Sequence, residues 1–419
     1  MRYYFIALLS SILLSCTNLQ PSEPVEVAEG AKRHAVVLVI DTLRSDVVST
    51  ASTPNIDSLV DQGAQAVRAW SSSTWTAPSV ISIMTGKSIR EHGWDYPMPA
   101  KMRARGESYP PIPTTTSTLA EVLRRKQFTN IGYYANPLLR RELGFDRGFD
   151  EWSFSTDSQM AKKIRQKMQN LDPQNERYLF YIHLIGPHHP LRPSVESRQR
   201  WNVDEKLLSK RRQGLSLKSL KPEDAYGIAN YKRAYHAVVE DTDKTVGQIL
   251  KALKPILNDS VLILTSDHGE MLGEHQQLGH QAWVYEPLTH VPFVAVGAPE
   301  LPNLINNAVV ADAVTKGLKI DANWDVTIDQ QRPLYAQREG KVAISEDGRI
   351  KGIWDEGIEV YDLLNDPGEL KSIDIRQNEL RQIRIAFERA YEAGTITDDA
   401  VEISNEMEDA LKSLGYIDE

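Results

Sequence analysis

Three stretches of this chain carry groups whose types and spacing could do chemistry. At 265–270 the sequence Thr-Ser-Asp-His-Gly-Glu follows the apolar run Val-Leu-Ile-Leu, so a buried strand would deliver the Asp267 carboxylate and the His268 imidazole side by side at its end. A carboxylate beside an imidazole is a metal site in outline. Asp-His-Gly also makes an ordinary turn after a strand, so the reading depends on what else converges there. Asp41 ends a second apolar run, His34 to Ile40, and offers another carboxylate; its alternative role is a helix cap or turn residue. Thr76 precedes Ala77, Pro78 and an apolar segment through Met84, with Gly86 as the stop, and so reads as a helix N-cap. As structure it is a capping residue. As chemistry it is a hydroxyl held where the free N–H groups and dipole of a helix stabilise negative charge.

The elements that must position these groups follow from the pattern around them. The runs at 34–40 and 261–264 have the composition of strands buried on both faces of a parallel sheet. Ligands of such sheets gather beyond the carboxyl ends of the strands, so Asp41, Asp267 and His268 can meet although they lie far apart in the chain. Residues 53–64 read as a short amphipathic helix closed by Gly63. A longer helix is expected over 230–253, packed on the sheet through Tyr231, Val238, Val239, Val246, Ile249 and Leu250, with Asp243 in a structural role. Residues 334–360 read as short antiparallel strands around an Asp347-Gly348 turn, and 377–391 as a packing helix. The polar segment 193–224 is an expected insertion over the site entrance. Its Leu-Ser-Lys-Arg-Arg-Gln cluster at 208–213 reads first as a solvated surface and second as an attractor for acidic groups.

Composition narrows the class. With 419 residues, 41% hydrophobic and 25% charged, the chain is globular and long enough for one large α/β domain, or one large and one small. A net charge of -9 excludes a general electrostatic nucleic-acid binder, and any anionic substrate must find its positive counterpart locally. The single cysteine, Cys16, excludes an internal disulfide framework. It follows Arg2 and an apolar run from Tyr3 to Leu14, too short to span a membrane and suited to a signal peptide. Leu-Leu-Ser-Cys at 13–16 resembles a bacterial lipobox, which implies removal of 1–15 and lipidation of Cys16; the alternative is a conventional signal peptide with an incidental cysteine. The tether at 16–33, rich in Pro, Glu and Ser over 20–30, would then hold the protein on the cell envelope, and Thr17 favours the outer membrane.

Taken in order, VLVIDTLRSD at 37–46, TPNIDSLVDQG at 53–63, TAPSVISIMTGKSIREHG at 76–93 and TSDHGEMLGEH at 265–275 resemble the sulfatase family of the alkaline phosphatase superfamily. GFDRGFDEW at 144–152, HLIGPHHP at 183–190, VYEPLTHVPFVAVG at 284–297, EVYDLLNDPGEL at 359–370 and the closing LKSLGYIDE fit the same pattern, so the resemblance covers nearly everything after the tether. It implies an α/β sandwich of the alkaline phosphatase type, with a parallel-rich central sheet flanked by helices over 34–300 and a smaller C-terminal α+β subdomain over 301–419. It implies that Asp41, Thr76, Asp267 and His268 ligate one divalent metal and that Thr76 holds the nucleophile position. It places His188 and His280 against the anionic group of the substrate and Asn136 at a position often basic or Asn. For His183, His189, His275 and His290 the plain reading is a surface or hydrogen-bonded histidine.

The departures from the family pattern are as informative. Sulfatases that use formylglycine carry Cys or Ser at the nucleophile, then x-Pro-x-Arg; here the run is Thr76-Ala77-Pro78-Ser79-Val80. Threonine cannot mature into the aldehyde, so a hydrated-aldehyde mechanism is excluded, and Val80 removes the supporting arginine. Thr42 replaces the second Asp of an Asp-Asp pair. Gly186 replaces an Asp, so a second metal site of the phosphatase kind is not expected. The ligand set of carboxylates, hydroxyl and imidazole favours Zn or Mn over Mg or Ca. A threonine nucleophile makes phosphate esters, phosphodiesters and transfer of phospho-headgroups to an envelope lipid or glycan serious rivals to sulfate esters. A catalytically silent binding relative is the reading from a different class.

Overall fold

The computed structural model describes residues 27–374 apart from 66–67, 107, 205, 207–223, 330–331 and 356. The lipobox with Cys16, the basic cluster at 208–213 and the helix expected at 377–391 lie outside the described residues.

A seven-stranded sheet organises the molecule, in the spatial order Ala64–Gln65, Phe293–Val296, Ser260–Thr265, His34–Ile40, Arg177–Leu184, Phe128–Tyr134 and Glu151–Phe154. The last five run parallel, and Phe293–Val296 pairs antiparallel to its neighbours on both sides. This is the parallel-rich α/β fold expected from the unbroken apolar runs. Side chains alternate across the strand His34–Ile40. Ala35, Val37 and Val39 pack with the helices Thr76–Thr85, Leu119–Arg125 and Val310–Gly317; Val36, Leu38 and Ile40 pack with Pro54–Val60, Asp157–Met168 and Ala225–Leu257. Covering both faces accounts for the lack of polar alternation in the strand, since each fully buried Val, Leu or Ile contributes about 1.5–3 kcal/mol.

Register brings the reactive ends together. Val39 lies opposite both His183 and Thr265, and Tyr134 opposite His183, so the chain leaves four adjacent parallel strands at one edge. Asp41, 135–136, 185–190 and 266–268 all begin there. A second, antiparallel sheet of Leu334–Arg338, Lys341–Ser345, Ile350–Trp354 and Ile358–Asp362 has its Gly348 turn at φ +71°, where Asp347 Oδ1 accepts from the N–H groups of Arg349 and Ile350. It docks beside the main sheet through the Gln337 N–H to the Ser72 carbonyl, 2.9 Å, and the Arg338 guanidinium 4.6 Å over the Trp75 ring.

Helix ends depart from the sequence reading. Thr76 is the first helical residue rather than the cap, which is Trp75 in extended conformation (φ -149°, ψ 145°). Trp75 is anchored by packing against Trp94 and Tyr109, a device that carries no local capping signal. Gly86 closes the helix at φ 62°, as its permissive backbone allows. Pro54–Val60 ends at Asp61, before Gly63. The long helix runs Ala225–Leu257, beyond both expected ends, because Asp224 accepts from the Gly227 N–H at its start while Leu253 and Ile256 extend the buried stripe. Asp243 on this helix receives the N–H groups of Asn55 and Ile56 and so caps Pro54–Val60 from another element. Among the described residues no helix is long and apolar enough to cross a membrane.

Candidate active site

Asp41, Thr76, Asn136, Asp267 and His268 are all fully buried at the carboxyl edge of the sheet. Thr76 Oγ1 lies 3.5 Å from Asp41 Oδ2 and 3.4 Å from His268 Nε2, and Asn136 Nδ2 donates to Asp41 Oδ2 at 2.7 Å and to Thr76 Oγ1 at 3.2 Å. Strand ends supply the acids, the imidazole and Asn136; a helix N-terminus supplies the hydroxyl.

The hydrogen bonds divide each carboxylate in two. Asp41 Oδ2 is held by Asn136, and Asp267 Oδ1 receives the N–H groups of Thr42 (3.2 Å) and His268 (2.9 Å). Among the described residues, Asp41 Oδ1 and Asp267 Oδ2 are buried with no hydrogen-bond partner, 3.8 and 3.6 Å from His268 Nε2. His268 Nδ1 pairs with the Gly269 carbonyl at 2.9 Å, which fixes the proton there and leaves the Nε2 lone pair facing the acids and Thr76. Leaving such oxygens bare costs about 1–3 kcal/mol each or more when charged. A divalent cation removes that cost, and the ligand atoms of Asp41, Asp267 and His268 all lie within 4.8 Å of one another. The donor set therefore fits a metal ion.

Electrostatics point the same way. Burial, with Asp267 beside it, raises the Asp41 carboxyl well above its ordinary range despite the Asn136 bond. Burial also penalises Asp267, but the His268 and His183 imidazoles and the Thr42 N–H outweigh it and hold that carboxyl below the usual range. Two acids this close cannot both be charged cheaply without a cation between them.

Thr42 occupies the place of a second acid without using its side chain. Its φ is +57°, uncommon for a β-branched residue, its hydroxyl turns back to the Asp41 carbonyl at 2.7 Å, and its N–H serves Asp267. Val80 is fully buried in the core of its helix. Gly186 donates its N–H to Asp157 Oδ2 at 2.9 Å, and a Cβ there would meet Thr242 Oγ1 at 2.8 Å, so a side chain at this position would require Thr242 to shift.

His188 and His280 stand together beside this group. Their ring centroids are 5.0 Å apart, and that of His280 is 4.6 Å from that of His268. His280 Nδ1 pairs with Glu270 Oε1 at 3.0 Å and His188 Nδ1 with the His189 carbonyl at 2.6 Å. Burial lowers both imidazoles well below their ordinary value, helped at His188 by His189 and His280 and at His280 by His268. Burial also pushes the Glu270 carboxyl up to about 7 against the pull of His188, His268 and Arg44.

Every expected site residue thus belongs to one contiguous group, but the sequence reading missed three neighbours. His183, expected as an ordinary histidine, is fully buried with Nε2 3.6 Å from Asp267 Oδ2. His189, also given the plain reading, stacks on His188 at 4.5 Å. Glu270 was visible in the Asp-His-Gly-Glu run, and its offset from His268 was the available signal. His275 stacks on Tyr285 at 3.9 Å and His290 lies 3.9 Å from Glu286.

A parallel-rich α/β sandwich with a carboxylate-imidazole corner and a hydroxyl at a helix N-terminus is the architecture of the alkaline phosphatase superfamily. A sulfatase family model matches residues 33–316, more than half of the chain, and the protein belongs to that family. Arylsulfatase K of Bos taurus is 36% identical over 86 residues, covering 20% of this chain and 16% of that protein. The uncharacterized sulfatase YidJ of Escherichia coli K12 is 25% identical over 153 residues, covering 34% and 31%. The chain therefore spans well under two thirds of these relatives. Among solved structures, BT4656 in complex with its substrate D-glucosamine-2-N,6-O-disulfate superposes with a TM-score of 0.70 at 16% identity, over 86% of this chain and 98% of that one. The phosphonate monoester hydrolase of Agrobacterium radiobacter gives 0.65 at 15% identity, over 86% and 96%. Likeness at this identity establishes the fold.

Proposed function

We propose that this protein is a metal-dependent hydrolase of sulfate or phosphate esters with Thr76 as nucleophile. One observation carries the reading: Thr76 Oγ1 sits within 3.5 Å of both Asp41 and His268 at the start of a helix. Asp41, Asp267, His268 and Thr76 would hold one divalent ion, with Zn or Mn favoured by the nitrogen donor. Such an ion lowers the pKa of a ligating hydroxyl and polarises an oxygen of the ester. The Asn136 amide orients the Thr76 oxygen and holds Asp41. Attack forms the bond from Thr76 Oγ1 to sulfur or phosphorus and breaks the bond to the leaving oxygen, which departs as an alcohol. Water then releases the threonyl ester. His188 and His280, whose rings lie beside that of His268, would stand against the anionic group of the ester and, once protonated at Nε2 by its approach, would stabilise its oxygens or hand a proton to the leaving group, help typically worth on the order of 10²- to 10⁴-fold.

The neighbours act on sulfated sugar and, by name, on phosphonate monoesters, so an anionic ester is the substrate class they support. Threonine favours phosphorus: a formylglycine diol expels sulfate by hemiacetal breakdown, whereas a threonyl ester needs a second displacement, familiar in phosphoryl transfer. Transfer to an envelope lipid or glycan is the same chemistry with another acceptor. The lipobox supports anchoring of the protein to the cell envelope through Cys16. The test is a panel of aryl sulfate, phosphate monoester and phosphodiester with Zn, Mn, Mg or Ca. Thr76→Ala is expected to abolish turnover on whichever ester is cleaved, and undiminished activity would remove Thr76 from the chemistry.

A further inference from the structure

We infer that Glu369, in the loop that follows the second sheet, is a positioning residue of the candidate active site: its carboxylate fixes the turn Glu286–Thr289, to which the segments carrying Asp41, Thr76 and His268 are all bonded. Successive carbonyls of this turn and of the residue after it receive those segments. Pro287 accepts from the Glu270 N–H at 3.1 Å, Leu288 from Gly269 at 2.8 Å, Thr289 from Ser71 at 2.8 Å and His290 from Ser45 at 3.3 Å. Gly269 directly follows His268, Ser71 leads into the helix that begins at Thr76, and Ser45 follows the exit of Asp41. There is no slack at Gly269, where a Cβ would meet the Pro287 carbonyl oxygen at 2.0 Å, so the backbone beside His268 must follow any shift of the turn.

Glu369 holds the start of that turn. The Glu286 N–H donates to its Oε2 at 2.6 Å, and its Oε1 pairs with Lys351 Nζ at 2.8 Å. Lys351 is fully buried, lies 3.3 Å from Glu286 Oε1 and sits 4.8 Å over the Trp70 ring. Arg68 Nη1 takes the other Glu286 oxygen at 2.6 Å. Paired acids and bases thus join the second sheet, the turn and the strand Arg68–Trp70 that leads to Ser71.

A role as glue for the second sheet does not account for this arrangement. In the loop, Leu364 and Leu370 are 71% and 80% exposed whereas Glu369 is 1% exposed, the reverse of what hydrophobicity dictates. Glu369 also sits at φ +53°, a conformation that costs a residue other than glycine. Burying an acid and bending its backbone both oppose folding, and an apolar side chain would pack the sheet down without either cost. What the carboxylate adds is an acceptor for the Glu286 N–H, and with it a fixed place for the turn.

The experiment is amide hydrogen exchange on the full chain, without metal or substrate, in wild type, Glu369→Leu, Glu369→Ala and Glu369→Gln. In wild type the amides of Ser71, Gly269 and Glu270 are expected to be protected. Glu369→Leu and Glu369→Ala should speed their exchange by roughly 10-fold or more while the strand Lys341–Ser345 stays protected. Glu369→Gln keeps an acceptor and should restore protection. Circular dichroism shows which of the Leu and Ala variants folds, and that one is read. The effect on turnover rests on the proposed ester chemistry: on an ester that wild type cleaves, the same variant should lose up to roughly 100-fold in kcat with KM held, and Glu369→Gln should recover it. Rapid exchange of these amides in wild type, faster exchange confined to the second sheet, or equal loss of protection in Glu369→Gln and Glu369→Leu would each overturn the inference. A wild type that cleaves no ester overturns the proposed function instead, and the exchange data decide this inference alone.

Discussion

Asn136→Ala is the most discriminating perturbation of the proposed site, because Asn136 touches both Asp41, a proposed metal ligand, and Thr76, the proposed nucleophile, without being a charged group itself. The variant removes a 2.7 Å bond to Asp41 Oδ2 and a 3.2 Å bond to Thr76 Oγ1, and it frees the Leu138 N–H that Asn136 Oδ1 receives at 3.0 Å. A hydrogen bond to a charged group is worth about 1.5–3 kcal/mol, which converts to roughly 10- to 150-fold. If Asn136 acts by holding Asp41, the loss falls on metal affinity, since removing such an outer partner typically weakens binding about 10- to 100-fold. If it acts by orienting Thr76, kcat falls with metal saturating. Metal titration read by competition with a chromogenic chelator, followed by kcat and KM at saturating metal, separates the two. Affinity and kcat both within about twofold of wild type would refute the placement of Asn136 at the reacting centre, since a broken bond to a charged oxygen must appear in one of them.

Further outcomes follow from the same geometry. Gly186→Asp is expected to destabilise the protein by about 1–3 kcal/mol in urea unfolding, because the new side chain meets Thr242 Oγ1 and lies beside the Asp157 carboxylate; an unchanged midpoint would contradict the crowding. Glu369 binds buried Lys351 at 2.8 Å, and burial, with Glu286 adding to it and Lys351 opposing, raises its carboxyl from 4.5 to about 7. A raised acid costs nothing below its unfolded value and its full penalty above its folded one, so stability falls as pH climbs from 4.5 to about 7. Glu369→Gln should flatten that part of the stability-against-pH curve, and parallel curves for the two proteins would refute the assignment. Cys16→Ser should move the protein from the membrane fraction to the soluble fraction, and a variant that stays with the membrane would remove the lipobox reading.

The reactive ends were legible because they are encoded locally. An unbroken apolar run followed by Asp41, or by Asp267 and His268, states both that a strand is buried on two faces and that its exit carries ligands. Thr76 before Ala-Pro and an apolar turn marks a helix start, and threonine itself excludes formylglycine whatever the fold. The partners were not legible, because strand order and register decide them. His183 faces Asp267 only because their strands flank the central one with Val39 opposite both His183 and Thr265. Thr42 serves Asp267 through an N–H presented at a positive φ that no residue type announces. His189 and Glu270 read singly as a surface histidine and a strand-end acid; the packing of two distant loops makes them neighbours of His188 and His280. The sequence by itself determined which groups leave the sheet and that the residue proposed as nucleophile is a threonine. Only the tertiary structure decided which carboxylate oxygens lack a partner among the described residues, because that depends on hydrogen bonds between segments distant in the chain.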